Sequence, residues 1–235
     1  MGYLMGWLRA LADNRDARSW AHRLRVERFA HFLQLIREVG EPFRVLDIGG
    51  TPGFWNQMGF AIPPGSEIVL LNLGPPPANL PDRLRWVAGD ATDLSCFSDR
   101  EFSVAFSNSV IEHLGSLERQ RCMAREVQRV AERHYIQTPN YWFLIEPHFL
   151  LPGVHWLPKA LRARVIHKTR AGWYGRHVRS IEDAVAVVES ISLLRLRELR
   201  DLFPGSRIVV ERWLGMSKSF IAIGAPPPRI PPHAP

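Results

Sequence analysis

The chain has 235 residues, 46% of them hydrophobic, which suits one domain with a sizeable core. Its 30 Lys and Arg against 23 Asp and Glu leave a formal charge of +7, which admits an acidic substrate, nucleic acid or an anionic membrane surface and requires none of them. Two cysteines, Cys96 and Cys122, without CxxC spacing or a histidine pair nearby, exclude a zinc finger or disulfide framework and point to a cytoplasmic protein; no run approaches the roughly 18 apolar residues of a membrane span.

Residues 1–40 read as an N-terminal helical segment. The opening "MGYLMGWLRALA" lacks a preceding basic stretch and a cleavage site, so it reads as a helix packing on the domain rather than a signal peptide. A shallow peripheral membrane contact is its alternative use. From Ser19 to Val39, Trp20, Leu24, Phe32, Leu35, Ile36 and Val39 recur at helical spacing, and Gly40 and Pro42 stop the helix.

"FRVLDI" is then a short apolar strand, as the buried centre of a parallel sheet demands. Further strands are expected at 67–73, 84–90, 101–108 and 133–140, with one long helix over 110–131 between the last two. Strands alternating with helices predict a Rossmann-like, three-layer α/β sandwich with a mainly parallel sheet. Residues 141–158, "YWFLIEPHFLLPGVHWLP", depart from this rhythm with aromatics, prolines and two histidines, and a basic, partly helical segment follows to 177. We read 141–178 as a substrate-side insertion. Ser180 and Asp183 form a capping box for the next helix, and "SLLRLRELRDLF" is another, stopped by Pro204 and Gly205. "SRIVVERWLG" and "SKSFIAIGA" form a terminal hairpin, and 226–235 is a Pro-rich tail expected to be disordered or extended, outside a domain of 1–225.

The chemistry concentrates after the first strand, in "DIGGTPGFW". The absence of Gly-Lys excludes a P-loop. A dinucleotide fingerprint fails at Thr51 and Phe54. The pattern left is acid-x-G-x-G-x-G, the loop that wraps S-adenosylmethionine (SAM), matched by Asp47, Gly49 and Gly53 but not by Thr51. Glycine there lets the backbone approach a ligand closely. Thr51 before Pro52 suits a helix N-cap followed by proline at the first helical position, with Gly50 supplying the turn's flexibility.

On these residues, with "VIEHL" after the fourth strand and the terminal hairpin, the chain resembles the class I SAM-dependent methyltransferases of the broad small-molecule type. The resemblance covers about half the chain. It implies a seven-stranded sheet whose last strand runs antiparallel beside the fifth, and SAM as cofactor. It places Asp47, Gly49, Gly50 and Gly53 around the ligand, Asn72 at the ribose where the family offers an acid, Asp90 and Ala91 at the adenine, and Ser107 and Asn108 where donor meets acceptor. Asparagine lacks the charge-assisted strength of a carboxylate, so weaker cofactor binding or a helper residue is expected.

Methyl transfer is an in-line displacement in which proximity carries much of the catalysis. For a hydroxyl or ammonium acceptor, His113 and His148 are the candidate general bases. Tyr141, Trp142, Glu146, His148 and His155 are the candidate acceptor-binding residues, suiting a small molecule, lipid or glycan methylated at oxygen or nitrogen. Glu146-Pro147-His148 reads as an isolated pair whose proline restricts convergence, so no metal site is expected. "TPNYW" resembles the signature of adenine-N6 methyltransferases, but it follows the fifth strand, not the fourth, and Asn140 replaces its second proline. A catalytically degenerate SAM-fold module and an RNA-directed methyltransferase are the alternative functions.

Overall fold

Strand β1 (Arg44–Ile48) lies at the middle of the sheet, and its composition shows why. Leu46 and Ile48 face one apolar layer while Val45 faces the other, so nearly every side chain meets a core. The computed structural model describes residues 19–175 and 177–225; the expected helix over 1–12 and the Pro-rich tail 226–235 lie outside these.

The other strands are β2 (Glu67–Asn72), β3 (Leu84–Ala88), β4 (Phe102–Asn108), β5 (Ala131–Pro139), β6 (Ile145–Glu146), β7 (Leu151–Pro152), β8 (Arg207–Trp213) and β9 (Met216–Gly224). Seven of them form one sheet in the order β3-β2-β1-β4-β5-β9-β8, parallel from β3 to β5. β9 inserts antiparallel beside β5, pairing Ala222 with Ile136. The expected hairpin β8–β9 turns through Leu214 and Gly215, at φ 48° and 79°. Two successive positive φ values are what a two-residue type I′ loop needs to match strand twist.

Helix α1 (Trp20–Val39) covers one face. Ser19 caps it by accepting from the His22 N–H at 3.0 Å, and Phe29, Phe32, Leu35 and Ile36 are buried beneath it. Burying each such side chain contributes about 1.5–3 kcal/mol. Trp20, expected on this face, is instead 46% exposed, one turn beyond the edge of the core, and meets Trp213 edge-on. After the short α2 (Pro52–Gln57), the long helix expected over 110–131 proves to be two elements. A 3₁₀ turn spans Ile111–Leu114, Gly115 adopts a left-handed φ of 73°, and Ser116 caps α3 (Leu117–Val130) anew. Gly followed by Ser is a C-cap meeting an N-cap, a break that apolar periodicity running through it conceals.

Beyond β5 the chain builds a third, separate apolar cluster. Helices α4 (Lys159–Thr169) and α5 (Ile181–Ser190) pack Ile166, Ala184 and Val188 against Phe149 and Val154. The Ser180/Asp183 capping box forms as expected. Helix α6 (Leu196–Leu202) then leads back to the sheet. Among the described residues no helix is long and apolar enough to cross a membrane.

Candidate functional site

The carboxyl ends of β1 and β4 open on a cavity of about 940 Å³. Parallel sheets place ligands at this edge, where the chain reverses direction across the sheet. Asp47, Gly49, Gly50, Gly53 and Asn108 all line it, so five of the sequence-predicted cofactor residues converge there.

The glycines act differently from expectation. Gly49, not Gly50, takes the left-handed conformation, with φ 74°. Gly50 is required for space: a Cβ there would stand 1.9 Å from the Asp47 carboxylate. Gly53 has no neighbouring atom within 4 Å of a Cβ position and leaves its side of the cavity clear. Thr51 is extended, at φ −133° and ψ 148°, and occupies the N-cap with Pro52 following, but its hydroxyl makes no capping hydrogen bond. The threonine is therefore compatible with the loop without contributing the side-chain cap expected of it.

Asp47 is 2% exposed and accepts one bond, from Trp55 Nε1 at 2.7 Å. Burial pushes its carboxyl up to about 8, only partly countered by the indole. Trp55 was not among the residues singled out from sequence. Its place in the first turn after the glycine loop, where a helix must turn one face inward, was the available signal. Arg25 of α1 and Trp173 of the insertion also line the cavity, and neither carried a motif.

The residues expected at the ribose and adenine are engaged within the protein. Asn72 Nδ2 donates to the Gly50 carbonyl at 3.2 Å, and its Oδ1 accepts from the Leu73 N–H. Asp90 accepts from the Thr92 N–H and hydroxyl, each at 2.8 Å, and pairs with Arg119 at 2.8 Å. Burial opposes ionisation there, yet Thr92 and Arg119 hold the carboxyl below its ordinary range. Ala91 faces the core. Ser107 is fully buried with its hydroxyl unpartnered, whereas its neighbour Asn108 reaches the cavity.

The residues expected to bind the acceptor separate into two groups. Tyr141, Glu146 and His155 line a smaller cavity of about 210 Å³, away from the glycine loop. His155 Nε2 contacts the Tyr141 carbonyl at 2.8 Å, the guanidinium of Arg195 lies 4.4 Å from the Tyr141 ring centroid, and Trp142 is exposed. None of these lines the main cavity. The insertion instead reaches the site through apolar residues. Phe143, Ile145, Pro147 and Leu150 line a cavity of about 500 Å³ that shares Asn108, Arg25 and Trp173 with the first.

His113 and His148, the candidate bases, do come together, with their Nε2 atoms 3.2 Å apart. His148 Nδ1 meets Glu146 Oε1 at 2.6 Å, while Glu146 Oε2 accepts from the backbone N–H groups of His148 and Phe149. Glu112 joins them fully buried, accepting from the Thr138 hydroxyl at 3.1 Å. Burial pushes Glu112 up to about 7, and burial beside His148 pushes His113 down to about 4. His148 stays above its ordinary value because Glu146 outweighs the effect of burial. The reading of Glu146 and His148 as an isolated pair is thus corrected. Ile111–Leu114 curls as a 3₁₀ turn, not an α-helix, and brings Glu112 and His113 against His148.

No family model matches the chain, nor does any curated protein. Solved structures do. The N-terminal domain of EvdMO1, obtained with S-adenosylhomocysteine and D-fucose, is 11% identical and aligns over 86% of this chain and 82% of its own, with a TM-score of 0.50. Magnesium protoporphyrin IX methyltransferase from Synechocystis PCC 6803, with bound S-adenosylhomocysteine, is 11% identical over the same shares, with a TM-score of 0.49. A Rhodobacter sphaeroides structure provisionally named among zinc-dependent alcohol dehydrogenases is 8% identical over 81% of this chain and 86% of its own, with a TM-score of 0.51. The chain spans between 48% and 63% of the length of the first three structures it matches. With the strand order and the antiparallel β9, the likeness to the EvdMO1 domain shows a Rossmann-like fold of the kind class I SAM-dependent methyltransferases have.

Proposed function

We propose that this protein binds SAM beneath the Gly49–Gly53 loop and transfers its methyl group to a small molecule with a bulky apolar body, at oxygen or nitrogen. The observation that carries this is a pair of adjacent cavities that share Asn108: one lined by the glycine loop and Asp47, the other mostly apolar and lined in part by the insertion. The first, at about 940 Å³, lies within the size range of small-molecule sites and has room for SAM. In this reading buried Asp47 meets the ligand's ammonium, which would return its carboxyl to the charged form. The apolar cavity favours a hydrophobic acceptor over a nucleic-acid backbone. Isothermal titration with SAM and S-adenosylhomocysteine tests the reading: micromolar binding of both is expected, and binding of neither sinks it.

A second reading, a SAM-fold module without turnover, is favoured by Asn72 and Asp90. Both are engaged with protein partners at the positions where ribose and adenine contacts are expected. It predicts S-adenosylhomocysteine binding with no acceptor methylated in extracts supplied with radiolabelled SAM.

A further inference from the structure

We propose that Glu112, His113 and His148 form a binding site for one divalent first-row transition-metal ion, with Glu146 as the outer carboxylate that orients His148. The site goes beyond the methyl-transfer reading and is tested independently of it.

The first observation is geometric. One ligand atom from each of the three residues lies within 4.8 Å of the other two. The two imidazole Nε2 atoms are 3.2 Å apart. Two nitrogens held about 2.05 Å from one tetrahedral ion lie roughly 3.3 Å from each other, so this spacing fits a shared metal. The rings meet edge-on at 86°, so the imidazoles are not stacked on one another.

The second observation is an orphaned acceptor. Glu112 is fully buried, and while Oε2 accepts from Thr138, Oε1 has no partner. A buried carboxylate oxygen is paired or binds a metal in most folded proteins. A single proton shared between His113 and His148 would satisfy the two nitrogens and still leave Glu112 Oε1 alone. A divalent ion satisfies all three.

The outer shell is also present. Glu146 Oε2 accepts two backbone N–H bonds, so its carboxylate acts as an acceptor and the hydrogen on the His148–Glu146 contact resides on Nδ1. That leaves His148 Nε2 as the atom facing the cluster. A ligating histidine that donates its other N–H to a carboxylate is the recurrent arrangement around protein-bound metals. The backbone of His148 is fixed too, because its carbonyl accepts from the Trp173 N–H at 2.9 Å. Two imidazoles and one carboxylate suit zinc, manganese or iron(II) better than calcium or magnesium. Three protein ligands leave a tetrahedral ion one position for water or substrate.

Zinc is the probe. The full chain, stripped with a chelator, is titrated with Zn²⁺ against a chromophoric indicator, and the metal is counted by mass spectrometry after dialysis. One ion per chain is expected. Glu112→Gln, His113→Ala and His148→Ala each weaken binding at least about 100-fold, Glu146→Gln weakens it about 10- to 100-fold through His148, and exposed His177→Ala changes nothing. Binding of Zn²⁺ to these three ligand variants as to the parent, or no stoichiometric binding by the parent, overturns the proposal. If a variant loses its circular dichroism spectrum, Co²⁺ added to the parent decides: intense tetrahedral d–d bands support the site and their absence refutes it. S-adenosylhomocysteine affinity, measured on the same stripped protein, separates failure of this site from failure of the methyltransferase reading.

Discussion

Two regions bury carboxylates at the same edge of the sheet and stabilise them in opposite ways. At the glycine loop, Asp47 accepts its one side-chain bond from an indole N–H eight residues away and is pushed towards its neutral form. In the insertion, Glu146 accepts three bonds of 2.6–2.7 Å, and the cluster around it forms only when His148 meets His113 from 35 residues away. The loop is a local device in which Gly50 leaves room for the Asp47 carboxylate. The cluster is a tertiary device whose charges are arranged around one another. Exchangeable parts of the loop should therefore tolerate loss of charge, and the cluster should not.

The sharpest contrast is in stability. Glu146→Ala leaves two buried backbone N–H groups and the His148 ring without their acceptor, and should cost about 3–5 kcal/mol. Urea denaturation of the parent and variant measures it; a loss below about 1 kcal/mol would mean that water replaces the carboxylate and that the cluster is not internally held. Next in size is Gly50→Ala, whose Cβ would stand 1.9 Å from the Asp47 carboxylate. Relieving that overlap should cost about 1–3 kcal/mol of stability and displace the loop enough to weaken S-adenosylhomocysteine binding by about 100-fold. Calorimetric titration showing unchanged affinity would place the ligand elsewhere.

Asp47 allows a test by pH. Its folded carboxyl lies near 8 against an ordinary value of 3.8, so between those limits the folded state holds a proton that the unfolded state has lost. Stability from this group is present at low pH and is lost as pH rises towards 8, by up to about 1.4 kcal/mol per pH unit. Asp47→Asn keeps an acceptor for Trp55 and removes the titration, so the difference between variant and parent in urea midpoint should grow from pH 5 to pH 8 in the variant's favour. A constant difference would mean that Asp47 is already ionised in the free protein. In the parent, S-adenosylhomocysteine should bind more tightly as pH rises over the same interval, because an ammonium partner requires the charged carboxylate.

The same division explains what could be read before folding. The apolar strands, the glycine loop and the terminal hairpin are contiguous patterns, and each forms where its residues placed it, with β9 beside β5 as the family resemblance implied. Thr51 at an N-cap with proline after it was equally legible from two adjacent residues. Which glycine turns was not, because Gly49 and Gly50 differ only in what lies across from them: Val110 for one and Asp47 for the other. Glu112 resembled a helix-start acid because its partner Thr138 belongs to β5 and its neighbour His148 to the insertion. Gly115, ending one helical turn before another begins, allowed that meeting. Tyr141, Glu146 and His155 looked like acceptor ligands by composition, but the satellite core around Phe149 turns them to a different cavity.

The smallest effect contrasts the helix start at the glycine loop with the one that follows the insertion. Thr51 and Ser180 are both extended N-cap residues. Ser180 accepts from the Asp183 N–H at 3.1 Å, and Asp183 returns a bond to the Ser180 N–H at 2.9 Å. Ser180→Ala should therefore cost about 1 kcal/mol, the usual worth of a cap. Thr51 has the right backbone and no capping bond, so Thr51→Ala should cost only a few tenths of a kcal/mol. The backbone conformation there is set by Pro52, which disfavours a helical residue before it whatever the side chain is. If ligand binding draws the Thr51 hydroxyl into a contact, Thr51→Ala will leave the melting temperature of the free protein unchanged and reduce the rise produced by S-adenosylhomocysteine. A drop in the free protein's stability as large as that of Ser180→Ala would instead show that the hydroxyl caps α2 in solution, and that this loop too is held by its own polar contacts.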